Sequence, residues 1–577
     1  MRDAVQKEQK RWTLGRILCI PFPDDMSLSW RASLVAACLV QIALVVKSVW
    51  LFRDQINPDA VSYIRIAQYY LSGQTDLMIL GGWSPLLSWL IVPWLLVFDD
   101  PLLAAHAAMA VSAVVFLFGC FCVLRAVRLP GTAIMIGTWI TAFFSVAWSG
   151  AVITPDLLMA GLFCCGTSRL LSNKWVANAR TALGAGIVLG AAYLAKAVAL
   201  PVSALVIIAL AGTNVVICQS SLRQTVRATT IVVAGFLIVA GPWIGMLSYK
   251  YGHPVFSTSG PINHAIVGPP DMPRYHPDQR HFYKPETGRI TVSEDPTHLP
   301  YNYWSPLENV AYAVHQARVI HSNAHVIVQY LKSFDWLGLG LVSAIFGYVF
   351  GTPWRKSLQE EPWRLSFIPI ASLAVIYLPV YAGGLNNTGD VRYYWGAFPF
   401  LSAASFGFAL HVSGALCKHR AVQRAFALAL VTLSLIIGNE GVLLQAFSLS
   451  ESASSQYRVA KILANKLRAA GLIGSIAAVG PRPRPVDDRY VAYLLNVQSF
   501  GHIEKVDNPE EILSSGTSLV IVPRGTALAQ QLREDRRFAS ADKQLFGCDE
   551  TNENPLEVFL TRPLTASDTC PKSGPGH

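Results

Sequence analysis

Long apolar stretches, each close to the length of a bilayer crossing, alternate along this chain with short polar connections. A helix needs about 20 apolar residues to cross the hydrocarbon core. Eleven stretches come near that length: 32–52, 101–124, 131–150, 157–171, 182–198, 199–218, 229–248, 335–352, 365–382, 393–412 and 424–447. They predict a mainly α fold, a polytopic transmembrane helix bundle of about 11 spans. A further apolar stretch, 84–98 (SPLLSWLIVPWLLVF), is shorter, contains Pro93 and runs into Asp99-Asp100-Pro101. It predicts an interfacial or re-entrant helix.

Charge placement gives the orientation. With 84–98 left out of the count and the N-terminus inside, the short basic loops all fall on the cytoplasmic side. They hold Arg125/Arg128, Lys174/Arg180, Arg223/Arg227, Arg355/Lys356/Arg364 and Lys418/Arg420/Arg424. Counting 84–98 as a span turns every one of these loops outward, against a tail carrying Arg2, Lys7, Lys10, Arg11 and Arg16. In the first arrangement residues 1–31 are a cytoplasmic tail. No small-residue cleavage site closes the apolar run that follows, so it reads as an uncleaved signal anchor. Residues 32–448 form the membrane domain. Its first loop (53–100), the turn near 150–156, the long loop 249–334 and the loop 383–392 are extracytoplasmic.

Residues 449–577 read as a soluble extracytoplasmic domain. Within it, 452–470 predicts an amphipathic helix ending at Gly471. Apolar runs at 474–479 and 518–523 predict strands, and GPRPRP at 480–485 predicts a loop. The pattern implies a small C-terminal α/β extracytoplasmic domain. No internal repeat is visible.

Composition agrees with lipid as the solvent. The 577 residues are 52% hydrophobic and 14% charged, against about 25% charged in a soluble domain. The net charge of +10 belongs with the cytoplasmic loops and, without an aromatic-interleaved basic domain, does not indicate nucleic acid. Eight of the ten cysteines lie in or beside apolar segments, where they act as small apolar residues. Cys548 and Cys570 could form a disulfide if their end of the chain is outside.

Candidate chemistry collects on the outer side. Asn57-Pro58-Asp59 starts a helix, because proline suits the first turn and an acid suits the positive end of the helix dipole. Ala60, Tyr63, Ile64, Ala67, Tyr70 and Leu71 continue it as an amphipathic surface helix that Gly73 ends. Thr154-Pro155-Asp156 opens the span 157–171, a second acid led by proline at a membrane boundary. Each acid alone could be only a helix-start residue. Lys196, at the outer end of span 182–198, either snorkels to the interface or binds an anion. Asp390, Arg392, Tyr393 and Tyr394 precede the span 393–412. Arg392 suits phosphate through its planar fork, and its bland alternative is an interfacial aromatic belt. The long loop holds eight of thirteen histidines. His321 and His325 share a face if that segment is helical, but no cysteine or carboxylate pair accompanies them, so no metal ligand is assigned.

In their order these segments resemble the GT-C superfamily of polytopic membrane glycosyltransferases, the protein O-mannosyltransferase and lipid A aminoarabinose transferase group. NPDAVSYIRIAQYYLSG resembles the family's first loop, GGWSPLLSWL its proline-led interfacial segment, and VITPDLLMAGLF its second acid motif. LGAAYLAKAVALP resembles its lysine-bearing helix end, and VRYYWGAFPF its late span. The series covers roughly residues 30–415. The chain departs from the family at Trp83-Ser84-Pro85, where many relatives carry a charge before the proline.

The resemblance implies transfer of a sugar from a polyprenyl-phosphate donor to an acceptor hydroxyl on an envelope glycan, lipid or protein, with inversion. It makes Asp59 the base and Asp156 the residue that orients the acceptor or steadies positive charge on the sugar. Tyr63, Lys196, Arg392 and Tyr393 would bind substrate, with Lys196 and Arg392 on the donor phosphate. A divalent metal stays open, since no Asp-X-Asp pair is present. The expected setting is a bacterial inner membrane with the site facing the periplasm. The alternative is a lipid or glycolipid transporter or flippase without transferase activity.

Overall fold

The computed structural model describes residues 28–172, 174–334, 365–379, 391–416, 420–451, 453–481, 486–546 and 555–561. The expected span 335–352, Asp390, Cys548 and Cys570 lie outside these residues.

The membrane domain opens with α1 (Leu28–Leu51), α2 (Pro58–Leu71), α3 (Leu86–Leu95), α4 (Pro101–Ala126) and α5 (Gly131–Ala151). It continues with α6 (Asp156–Leu170), α7 (Ala179–Ala195), α8 (Ala199–Val216) and α9 (Leu222–Tyr251). After the long loop come α10 (Val310–Phe334), α11 (Phe367–Tyr377), α12 (Phe398–Leu416), α13 (Arg420–Ile437) and α14 (Glu440–Phe447). Rows of exposed apolar side chains, such as Val35, Leu39, Ile42 and Val46 on α1, mark the lipid-facing sides.

Helices α1, α4, α5, α8 and α9 are long and apolar enough to cross a bilayer, and the α13–α14 pair adds a sixth at most. The chain is an integral membrane protein, and the eleven expected spans are not reached by length among the described residues. Helices α3, α7, α11 and the apolar part of α12 are shorter, and α6 has 15 residues. Two of the short ones stop where the chain turns into the candidate site: α6 starts at Asp156 and α7 ends at Lys196. The span expected over 424–447 is broken by a 75° bend. There the Asn439 side chain donates to the Phe334 and Leu435 carbonyls, 2.8 and 3.0 Å away. The expected span 229–248 is part of a longer helix, α9. The 84–98 stretch forms the ten-residue α3 with Pro93 inside, too short to cross.

Close helix contacts set the frame. Helices α4 and α6 cross at Gly119 and Gly161. A Cβ on Gly161 would lie 2.7 Å from the Phe116 backbone, so small residues let the two backbones touch. Gln41 in α1 donates to the Ala113 carbonyl at 2.9 Å and the Ser145 hydroxyl at 2.8 Å, joining α1, α4 and α5 through polar groups that lipid could not satisfy. Lys47 donates to the Ala446 and Ser448 carbonyls at the end of α14.

The C-terminal domain starts with α15 (Ser455–Ala469), which ends at Gly471 with φ +69°. A five-stranded sheet follows, in the order β2-β1-β3-β5-β4. Its strands are β1 (Ile476–Val479), β2 (Ser499–Ile503), β3 (Leu519–Pro523), β4 (Ala539–Ser540) and β5 (Leu556–Leu560). Strand β1 pairs parallel with β2 and β3, while β5 runs antiparallel to β3 and β4. Helix α16 (Asp488–Leu495) lies between β1 and β2 in sequence and packs on α2. The long loop is tied to β2: the Ser499 amide donates to the Ile290 carbonyl at 2.7 Å, and the Tyr283 amide to the Phe500 carbonyl at 3.0 Å.

Candidate active site

Four chain segments, far apart in sequence, meet at the start of α2. Pro58 fits the first turn of that helix, which places Asp59 one residue in. The Asn57 side chain makes no cap bond to its own helix. Its Oδ1 instead accepts from the Ile153 amide at 2.9 Å. That bond fastens the Asp59 helix to the turn leading into Asp156. From α3, Ser88 donates to the Tyr63 carbonyl at 3.0 Å and holds α2 against the interfacial helix.

Asp156 is the hub. Its side chain is 1% exposed. Lys196 Nζ reaches its Oδ1 at 2.5 Å, and the Thr154 hydroxyl donates to its Oδ2. Arg392 Nε stands 4.0 Å from the same Oδ2. Arg392 Nη2 also donates to Asp59 Oδ2 at 3.3 Å. Asp59 is 42% exposed, so of the two acids it is the one an incoming molecule can reach. Lys196 is available because α7 ends there: its backbone is extended, φ −152° and ψ 126°, before α8 begins. Among the described residues two carboxylates and two cations thus share one site and balance one another, which lowers the cost of holding them at a membrane boundary.

Aromatic rings surround the ions. The Tyr393 ring centroid lies 4.1 Å from Lys196 Nζ and 5.2 Å from Arg392 Cζ, both within cation–π range. Tyr63 is buried and meets Trp83 edge to face at 4.9 Å. Burial, helped by the fields of Asp59 and Asp156, pushes the Tyr63 phenol well up, so it stays protonated. Trp83 lies two residues before Pro85, at the start of the interfacial segment. Here it donates to the Ser293 carbonyl at 3.0 Å and so fixes the long loop over α2.

All six expected site residues, Asp59, Asp156, Tyr63, Lys196, Arg392 and Tyr393, lie in this cluster. Sequence reading missed Asn57 as a tether and Tyr377 as part of the wall. Tyr377 is buried, with its ring 5.7 Å from that of Tyr393. It sits on α11, whose apolar run carries no signal of a polar role.

The histidines of the long loop differ in their surroundings. Helix α10 does carry His321 and His325, and His325 Nε2 accepts from Gln329 at 2.9 Å. Among the described residues the grouping of ligand type is Glu286, Asp295 and His298, with ligand atoms within 4.8 Å of one another. Arg289 bonds Glu286 at 2.8 Å and stands 3.4 Å from Asp295, and Lys250 stands 3.5 Å from Asp295. Two cations therefore already oppose the two carboxylates. His276, nearer the site, donates to or accepts from the Tyr301 hydroxyl at 2.8 Å. Burial pulls its imidazole below the ordinary histidine range, although Asp278 and Asp59 oppose the shift.

No protein-family model matches the chain, and no curated protein matches it. Its fold is similar to that of solved membrane glycosyltransferases of the GT-C fold. ArnT from Cupriavidus metallidurans, solved bound to undecaprenyl phosphate, aligns over 95% of this chain and 100% of its own, at 15% identity and a TM-score of 0.50. The oligosaccharyltransferase of Archaeoglobus fulgidus, in the apo form, aligns over 86% of this chain and 69% of its own, at 12% identity and a TM-score of 0.51. Its complex with an inhibitory peptide and a dolichol-phosphate, there called AglB, covers the same shares at 11% identity and a TM-score of 0.50. The likeness expected from the loop motifs therefore holds at the level of the fold.

Proposed function

We propose that the protein is an inverting membrane glycosyltransferase that moves a sugar from a polyprenyl-phosphate donor to an acceptor hydroxyl. One observation carries the reading: a reachable carboxylate, Asp59, is joined through Arg392 to a buried one, Asp156, that also holds Lys196. The neighbours with the same fold, solved with undecaprenyl phosphate and dolichol-phosphate, support a lipid phosphate as the donor's carrier.

In the reaction, the acceptor oxygen forms a bond to the anomeric carbon as the bond from that carbon to phosphate breaks. The electron pair leaves with the lipid phosphate, where Lys196 and Arg392 neutralise it. The acceptor proton passes to Asp59. Attack opposite the leaving group inverts the centre. The burial of Asp156 favours a role in positioning the two cations over contact with the acceptor. Arrival of a phosphate would draw Arg392 from Asp59 and leave that carboxylate free to accept the proton. The reading includes the eleven-span topology, with the site facing the periplasm of a bacterial inner membrane.

The test is mass spectrometry of envelope glycans in a strain lacking the protein, rescued by wild type or by Asp59→Asn at matched level. Loss of a general base costs about 10²–10⁴-fold in rate. Wild type alone should restore the missing sugar. Full rescue by Asp59→Asn would remove the assignment and favour the transporter reading.

A further inference from the structure

A cleft lined with basic and amide side chains lies around α2 from Asp59. Arg65 is six residues further on, about 9 Å along the helix and about 120° round it. There α2, the long loop and the C-terminal domain line an open cleft of about 460 Å³. Its lining includes Arg65, Lys284, Gly288, Arg289, Asn496 and Gln498, with three basic side chains in all and no acidic one.

Two of these side chains are committed to building the wall. Arg289 is spent on Glu286 at 2.8 Å, the Leu77 carbonyl at 3.2 Å and Asp295 at 3.4 Å. Gln498 Nε2 donates to the carbonyls of Pro285, Glu286 and Arg289 at 3.1 to 3.4 Å. Gly288, with φ +91°, lets the loop turn here and gives its carbonyl to the Tyr69 hydroxyl at 3.0 Å.

Arg65 is different. Its terminal nitrogens reach only neutral oxygens: Gln68 at 3.0 Å, Asn496 at 3.4 Å, and Tyr69 and Gly288 at 3.5 Å. Its Nε is buried without a hydrogen-bond partner. The nearby Glu294 carboxylate is occupied by the Tyr69 hydroxyl and the Ile290 and Thr291 amides. Lys284 is exposed at the rim. The contacts of the terminal nitrogens to Asn496, Tyr69 and Gly288 are long, at 3.4–3.5 Å, and an anion on this edge of the planar fork would replace them with shorter, charge-assisted bonds. The volume suits a small organic molecule. The amides of the wall and the Gly288 carbonyl suit hydroxyl groups.

We propose that this cleft binds an acidic sugar residue, with its carboxylate or phosphate on Arg65 and Lys284. That this residue belongs to the acceptor rests on the transferase reading; the binding itself does not.

The experiment is a saturation-transfer NMR titration of the full chain in detergent with glucuronic acid, glucose 1-phosphate and glucose. Variants are Arg65→Gln and Lys284→Gln, with Arg392→Gln as control for anions held at the Asp59 site. At least one acid should bind tenfold more tightly than glucose. Arg65→Gln and Lys284→Gln should each weaken that acid about fivefold and leave glucose unchanged, while Arg392→Gln changes neither. The tighter acid identifies carboxylate or phosphate. Equal binding of acids and glucose overturns the proposal, as does a loss that follows Arg392→Gln and not Lys284→Gln. Lys284 is exposed, so its variant reports even if Arg65→Gln folds poorly. The readout needs no turnover, so its failure is separable from failure of the transferase reading, which Asp59→Asn decides.

Discussion

Lys196 and Asp156 form a contact with one side chain 24% and the other 1% exposed. Removing one partner of a buried pair strands the other charge and costs about 3–5 kcal/mol. Lys196→Met should therefore lower the melting temperature of the detergent-solubilised protein sharply, and Asp156→Asn should do so as well. The double variant should lose clearly less than the sum of the two; strictly additive losses would mean that the pair is not coupled. At this scale much of the site was legible. Two acids led by proline at membrane boundaries are unusual enough to stand out, and a lysine and an arginine at helix ends stand out against apolar spans. Asn57 and Tyr377 were not legible. Asn57 looks like a helix cap until its partner, the Ile153 amide 96 positions away, is known. Tyr377 is one aromatic among many in a membrane helix.

At the scale of the element, the crossing of α4 and α6 depends on the absence of side chains. Gly161→Ala would press a methyl group on the Phe116 backbone, and overpacking of this kind costs about 1–3 kcal/mol. Gly212→Ala, in α8, would meet nothing within 4 Å and should be neutral; equal effects of the two changes would refute the packing account. The one-turn helix Val292–Glu294 offers a pH test. Glu294 closes a capping box with Thr291, and burial raises its carboxyl above the ordinary value despite the Tyr69 hydrogen bond. An acid raised in the folded state binds its proton more tightly there than when unfolded. Its contribution is present below the unfolded value near 4.5 and falls as pH rises through the folded one. Glu294→Gln should flatten that part of the stability profile in melts from pH 4 to 8. Element boundaries followed the sequence closely where proline and glycine punctuate it, as at Pro58 and Gly471. They departed at 438–439, where the bend depends on Asn439 reaching carbonyls of α10 and α13, a tertiary cause. Strand β2 escaped notice because SFGHI carries a glycine at φ +111° and shows no clean alternation.

For the whole molecule, the orientation can be measured directly. A cysteine at Ser72, exposed after α2, should react with a membrane-impermeant maleimide added to intact cells, with wild type correcting for native thiols. One at Ala179, exposed at the start of α7, should react only after permeabilisation. The reverse pattern would invert the topology. The C-terminal domain has a consequence for biogenesis. Its α16 packs on α2 and its β2 bonds the long loop, and it also holds the segment before α2: the Tyr490 hydroxyl donates to the Ile56 carbonyl at 3.3 Å, and the backbones at Asp54 and Ala453 form a bridge. Asp59 thus leaves the ribosome some 400 residues before the walls beside its helix exist. The charged cluster is complete in sequence by Tyr393, but the helix that carries Asp59 gains these flanking contacts only when the last domain emerges and docks. On the transferase reading proposed above, a chain ending at residue 449 is expected to insert and to remain inert; full activity of that chain in membranes would show that the docked domain is dispensable.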